Sequence, residues 1–83
     1  MTGPVEQRLD KIAERMGWRL RWKAKPLPYT PALTMTELDI FAGKRLVTRD
    51  GPIWVSTIGK GNPREIIARR VIEYLRQSRA RAA

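Results

Sequence analysis

Apolar residues open the chain at helical spacing: Val5, Leu9, Ile12, Ala13 and Met16. Residues three and four apart share one helix face, so this pattern predicts an amphipathic helix of about three turns. Thr2 or Gly3 can cap it, Pro4 suits its first position, and Gly17 is a C-terminal stop. The period then changes to two. Residues 18 to 25 read Trp-Arg-Leu-Arg-Trp-Lys-Ala-Lys, with apolar Trp18, Leu20, Trp22 and Ala24 at even positions and cations at every odd one. A strand sends alternate side chains to opposite faces, so one face goes to a core and the other carries a row of four positive charges. At ~3.3 Å per residue that row is ~20 Å long, with a cation every ~6.6 Å. This is close to the spacing of phosphates along a nucleic-acid strand.

Pro26, Pro28 and Pro31 forbid helix and disfavour a central strand, which predicts an extended crossover. Residues 33 to 41 alternate Glu37 and Asp39 against Leu38 and Ile40, the pattern of a second strand. Ala42-Gly43 turns the chain, Lys44 to Arg49 forms a third strand, and Asp50-Gly51 signals a hairpin. Ile53 to Ile58 is β-branched and aromatic, hence a fourth strand. Asn62 is placed as the N-cap and Pro63 as the first residue of a last helix running to about Ser78. Ile67, Val71, Tyr74 and Leu75 form its buried stripe. The expected fold is α+β: a small antiparallel sheet of three to four strands with two helices packed on one face. An 83-residue chain holds one such domain, here 1–78, followed by a basic tail at 79–83.

Charge sharpens the picture. Seventeen Lys and Arg against eight Asp and Glu give a net charge of +9, and the sequence pI is 11.1. Such a chain attracts polyanions whatever its fold. The excess is uneven: residues 1–17 sum to zero, 18–25 carry +4, 26–43 carry −2, and 63–83 carry +4. Cysteine and histidine are absent, which removes thiol chemistry, disulfides and the commonest general base and metal ligand. No cofactor and no metal site are expected. No signal-peptide pattern and no apolar run of membrane-spanning length is present, so a soluble cytoplasmic protein is expected.

Gly59-Lys60-Gly61 leads into a helix N-terminus, where backbone N–H groups and the helix dipole favour an anion. Lys60 and Arg64 add charge there, although a plain tight turn explains the same residues. Glu37 and Asp39 share one strand face. They form either a carboxylate pair for acid–base chemistry, or cross-strand partners of Arg19, Arg21 or Lys23 that neutralise part of the row. In the last helix, Glu65–Arg69 and Glu73–Arg76 have ion-pair spacing. Arg64, Arg70, Arg79 and Arg81 have no evident partner. Trp18 and Trp22 belong to the core face, and the face of Trp54 is undetermined.

Arg8-Leu9-Asp10-Lys11-Ile12-Ala13-Glu14-Arg15-Met16-Gly17 resembles the first helix of a double-stranded-RNA-binding domain. Gly59-Lys60-Gly61-Asn62-Pro63-Arg64-Glu65 resembles that family's Gly-x-Gly entry into a basic second helix. The resemblance implies an α-β-β-β-α fold, with Lys60 and Arg64 as phosphate contacts, and minor-groove contacts from the first helix and the β1–β2 loop. The chain departs from the pattern at Glu65, where a second lysine is usual, at Lys11, where a glutamate is usual, and in lacking a Gly-Pro-x-His loop. The HicA-type mRNA interferases share this architecture but need a histidine in the sheet, which this chain lacks. The sequence therefore points to non-enzymatic binding of duplex DNA or RNA through Arg19, Arg21, Lys23, Lys25, Lys60, Arg64 and Arg70. The alternative is a small basic protein-interaction module, such as a mobile-element inhibitor of a nucleoprotein complex. No membrane and no small-molecule substrate is expected.

Overall fold

The structure is a computed structural model in which residues 3–49, 55–59 and 61–82 are described, with side chains as far as Ser78. Helix α1 spans Pro4–Met16, strand β1 Trp18–Pro26, β2 Thr34–Ala42, β3 Arg45–Leu46, β4 Ser56–Gly59 and helix α2 Pro63–Ala82. The fold is α+β, with two helices against an antiparallel sheet of four strands. Pro4 sits in the first turn of α1, and Gly17 ends the helix in the left-handed conformation, its N–H near the carbonyls of Ala13 and Glu14. Only glycine takes that conformation at little cost, so the helix stops where the glycine stands.

Strand β2 is central. Across its full length β1 pairs with it, from Trp18 opposite Ala42 to Pro26 opposite Thr34. Its other edge is shared by two short strands. Leu46 of β3 lies opposite Phe41, whereas Ser56 of β4 lies opposite Glu37. The two short strands thus pair with separate stretches of β2. Of the strand expected from Lys44 to Arg49, only Arg45–Leu46 forms, and the chain turns at 47–49. Val47 keeps one ladder bond, its N–H donating to the Ile40 carbonyl at 2.8 Å. At the next position the Thr48 hydroxyl accepts the Ile40 N–H at 3.1 Å, and Thr48 is buried. A side chain here replaces the departed backbone. The expected Asp50-Gly51 hairpin, Ile53 and Trp54 lie outside the described residues; β4 itself begins only at Ser56.

Both helices contribute to one core on the even-numbered face of β1 and β2. Leu9 from α1, Leu38 and Ile40 from β2, Val55, and Ile67, Ala68 and Val71 from α2 are buried together, with Trp18, Leu20 and Trp22 packed against them. Two expectations about this core change. Ala24 continues the apolar row but lies exposed, past the edge of the core. Tyr74 falls at the right helical spacing yet is 46% exposed, while Leu75 packs against the cluster. Helix α2 has 20 residues against 13 in α1, and it continues past Ser78 to Ala82. Its second half has less protein beneath it to cover Tyr74.

Candidate nucleic-acid interface

The open face of the sheet carries the odd-numbered residues. On β1 these are Arg19, Arg21, Lys23 and Lys25, all exposed, directly opposite Phe41, Asp39, Glu37 and Met35 of β2. The row of four cations therefore exists, on the face away from the helices. Its middle is occupied. Arg21 donates to Asp39 Oδ2 at 2.9 Å, and Lys23 Nζ lies 3.1 Å from Asp39 and 3.5 Å from Glu37. Of the two uses open to Glu37 and Asp39, the structure places them in cross-strand ion pairs. Partial burial pushes the Asp39 carboxyl up, but the hydrogen bonds from Arg21 and Lys23 outweigh it and hold the group below its ordinary 3.8. The hydrogen bond to Asp39 raises Lys23 above its ordinary 10.5.

The ends of the row differ from its middle. The Arg19 guanidinium lies 4.8 Å from the Phe41 ring centre and that of Arg21 5.2 Å, so both contact the same aromatic ring. Stacking leaves the charge of Arg19 uncompensated. Lys25 has no acidic partner among the described residues. The open face thus keeps four cations against two carboxylates. Ion pairs this exposed contribute ~0–1 kcal/mol each, so a phosphate can exchange with them.

The residues expected at the start of α2 have other occupations. Asn62 does cap the helix, its Oδ1 accepting the Glu65 N–H at 3.4 Å. Asn62 and Glu65 have capping-box spacing, in which the glutamate would normally turn back to its own N-cap. Here it reaches the other helix. The Val5 and Glu6 amides donate to Glu65 Oε1 and Oε2 at 2.8 and 2.9 Å. Gly3, the N-cap of α1, has no side chain to do this, and a Cβ there would collide with the Glu65 carboxylate. Glu65 therefore does not pair with Arg69. Arg64, which the sequence leaves without a partner, lies 3.6 Å from Glu6 Oε2 and 5.1 Å over the Trp22 ring. Glu6 is only 5% exposed. Sequence reasoning missed this junction. The available signal was an N-cap glycine before Pro4, which leaves the first amides of α1 to be satisfied from elsewhere.

Arg70 donates to the Ser56 carbonyl at 2.8 Å, covering part of the β4 edge, and Arg76 lies 3.8 Å from Glu73. Lys60 lies outside the described residues. The sequence-derived site is therefore not one patch: Arg19, Arg21, Lys23 and Lys25 share the open face, Arg64 belongs to the helix junction, and Arg70 braces β4. Between β1 and β2, the proline-rich loop is held by Leu27 N–H to Leu33 O at 3.0 Å and Leu33 N–H to Thr30 O at 2.9 Å. It presents Tyr29 98% exposed. No group of acidic residues suited to a metal ion occurs among the described residues, and none of their helices is long and apolar enough to cross a membrane. Comparison with protein-family models, curated proteins and solved structures yields no match.

Proposed function

We propose that this domain binds nucleic-acid duplexes, without catalysis, chiefly through phosphate contacts. The observation that carries the reading is the open face of β1, where four cations in a straight row outnumber two carboxylates in a chain of net charge +9. Arg19 and Lys25 are the contacts available at once; Arg21 and Lys23 become available as phosphate replaces Asp39 and Glu37. The order of elements supports kinship with double-stranded-RNA-binding domains, as does the exposed Tyr29 on the β1–β2 loop, the loop that reads a minor groove in that family. The diversion of Arg64 to Glu6 and of Glu65 to α1 weakens the family's phosphate contact at α2 and shifts weight to the sheet.

A titration of matched DNA and RNA duplexes at several salt concentrations tests this. If ~5 phosphates are neutralised, log K falls with log salt at a slope of about −4 to −5. A flat response, or no binding at low salt, overturns the reading. One observation favours the protein-interaction alternative: Met35 and exposed Ile58 pair across β2 and β4 on the open face. Salt-insensitive capture of a protein from nuclease-treated lysate, lost in Ile58→Glu, would support it instead.

A further inference from the structure

Strand β1 has a neighbour on one side only. It pairs with β2 over its full length, and no described strand pairs with its outer edge. The ladder fixes which backbone groups point outward. In an antiparallel pair, residues that bond to the partner strand alternate with residues that do not. The Leu27 N–H donates to the Leu33 carbonyl at 3.0 Å, and this pair continues the register of Pro26 opposite Thr34. The odd-numbered residues of β1 therefore bond to β2. The same parity holds across β2, where even-numbered Ile40 turns its carbonyl the other way, to the Val47 N–H. That leaves the N–H and C=O groups of Trp18, Leu20, Trp22 and Ala24 aimed away from the sheet. A nine-residue edge of this kind is a template for one more strand.

The side chains say which strand fits. On the helix-facing side, Trp18, Leu20 and Trp22 are half-buried, whereas Leu38 and Ile40 of β2 are each 1% exposed. A further strand with apolar residues on that side would extend their cover. On the open side stand Arg19, Arg21, Lys23 and Lys25, all exposed. A second copy of β1 is a poor occupant. Residues directly opposite one another share a face, so cations would meet cations. Lysines guard an edge against strands of that kind. They attract the opposite kind, as β2 already does on the inner side, where Asp39 and Glu37 face Arg21 and Lys23 across the ladder. Arg19 and Lys25 have no acidic partner among the described residues.

We infer that the outer edge of β1 takes up, as a fifth strand beside the four of the sheet, an extended segment of another protein in which Asp or Glu alternates with apolar residues. The backbone of that segment bonds to the even-numbered residues of β1. Its acids reach the odd-numbered cations, and its apolar residues lie beside Trp18, Leu20 and Trp22. Main-chain bonds supply affinity in such an addition, and the alternating side chains supply specificity. The inference stands on the geometry of the edge and does not rest on the nucleic-acid reading. Where both ligands bind, acids and phosphates draw on the same row of cations, so each excludes the other.

The probe is a nine-residue peptide with the sequence of β2, Thr34–Ala42, titrated into the isotope-labelled chain and followed by amide shifts and hydrogen exchange. In the free chain, the amides of Arg21 and Lys23 should exchange slowly, and those of Leu20, Trp22 and Ala24 fast. Bound peptide should slow the second set and leave the first as it was. A peptide carrying Glu37→Gln and Asp39→Asn should bind about fivefold more weakly at low salt, the effect of losing two cross-strand charge pairs. In the protein, Ala24→Pro removes an outward N–H from an exposed position and no bond to β2, a placement that edge strands tolerate. It should abolish the peptide's protection of Leu20 and Trp22 with the fold intact by melting. The neutral peptide carries the test if that variant does not fold. Absence of saturable shifts, equal affinity of the acidic and neutral peptides, binding that ignores Ala24→Pro, or protection gained at odd-numbered amides each overturns the inference. Even-numbered amides already slow in the free chain, with a doubled mass in sedimentation, would give the edge to a second copy and overturn it too. Peptide binding without any duplex binding would retain the edge and reject the nucleic-acid reading. Duplex binding with no response to the peptide would do the reverse.

Discussion

Two regions of this molecule bring two carboxylates to nearby cations, and the surroundings give the pairs different work. On the open face, Asp39 and Glu37 meet Arg21 and Lys23 across neighbouring strands, with both cation side chains about half exposed or more, at 60% and 47%. At the helix junction, Glu6 and Glu65 meet Arg64 and the N-terminus of α1, with Glu6 buried and Gly3 closed against the Glu65 carboxylate. The cations are alike, Arg64 being 51% exposed, but the carboxylates differ: the side chains of Glu37 and Asp39 are 35% and 16% exposed, that of Glu6 only 6%. Exposed pairs are weak and exchangeable, whereas breaking a buried one strands a charge. The open face is therefore able to trade its carboxylates for a ligand's phosphates, and the junction holds the two helices together.

The largest expected effect breaks the junction. Glu65→Ala removes two charge-assisted bonds to the α1 amides and should cost about 2–4 kcal/mol in denaturant unfolding. Arg69→Ala, four residues along the same helix and without a described partner, should change stability by less than ~0.5 kcal/mol. Equal losses in the two variants would show that Glu65 caps nothing. Gly3→Ala should follow at about 1–2 kcal/mol, because the carboxylate must move to admit the methyl group. The two substitutions act on one contact, so Gly3→Ala should cost little more in the Glu65→Ala background. Simple additivity would separate Gly3 from the cap.

These two regions also differ in how well the chain announces them. The period-two run at 18–25 names its own faces, and the alternation at Glu37 and Asp39 puts the acids on one side of a strand. The cross-strand pairing then follows once the two strands are neighbours. α1 is equally legible, because Pro4 and Gly17 punctuate it. The junction is not legible in this way. Glu65 reads as a local residue, favourable to its own helix dipole and spaced to meet Arg69. Its true partners are 59 and 60 positions away in the chain. Arg64 likewise finds Glu6 only after both helices have packed. The shortened third strand hides for a related reason: Lys44 to Arg49 has strand composition, but at Ile40 the N–H is taken by the Thr48 side chain and not by backbone.

On the open face the expected sign reverses, since removing acids should help a polyanion. Asp39→Asn with Glu37→Gln should leave Arg21 and Lys23 free, raise duplex affinity by up to about tenfold at low salt, and steepen the salt slope by up to ~2. The loss of the exposed Arg21–Asp39 pair should cost about 1 kcal/mol of stability or less. Arg21→Gln with Lys23→Gln should weaken binding with the fold intact. Affinity that ignores both double substitutions would move the interface off the open face.

The smallest effect is a pH dependence that separates the two kinds of pair. Asp39 titrates below its ordinary value in the folded state, so its contribution is present above the unfolded pKa, near 3.8, and is lost as pH falls through the folded one. Lys23 is shifted the other way. Its contribution is complete below its ordinary 10.5 and is lost as pH rises through the higher folded value. Between those limits the open-face pairs should add a constant to stability. The melting temperatures of the native chain and of Asp39→Asn should therefore run parallel from about pH 5 to pH 9 and converge in acid, where the native chain loses what the variant never had. Duplex binding, measured where the duplex itself stays intact, should show no extra gain in the native chain over the variant down to pH 4, because folded Asp39 keeps its charge there and goes on holding the cations that the substitution releases. Parallel melting curves down to pH 2 would mean that Arg21 and Lys23 do not hold Asp39 in solution, and that the whole row is open to phosphate at neutral pH.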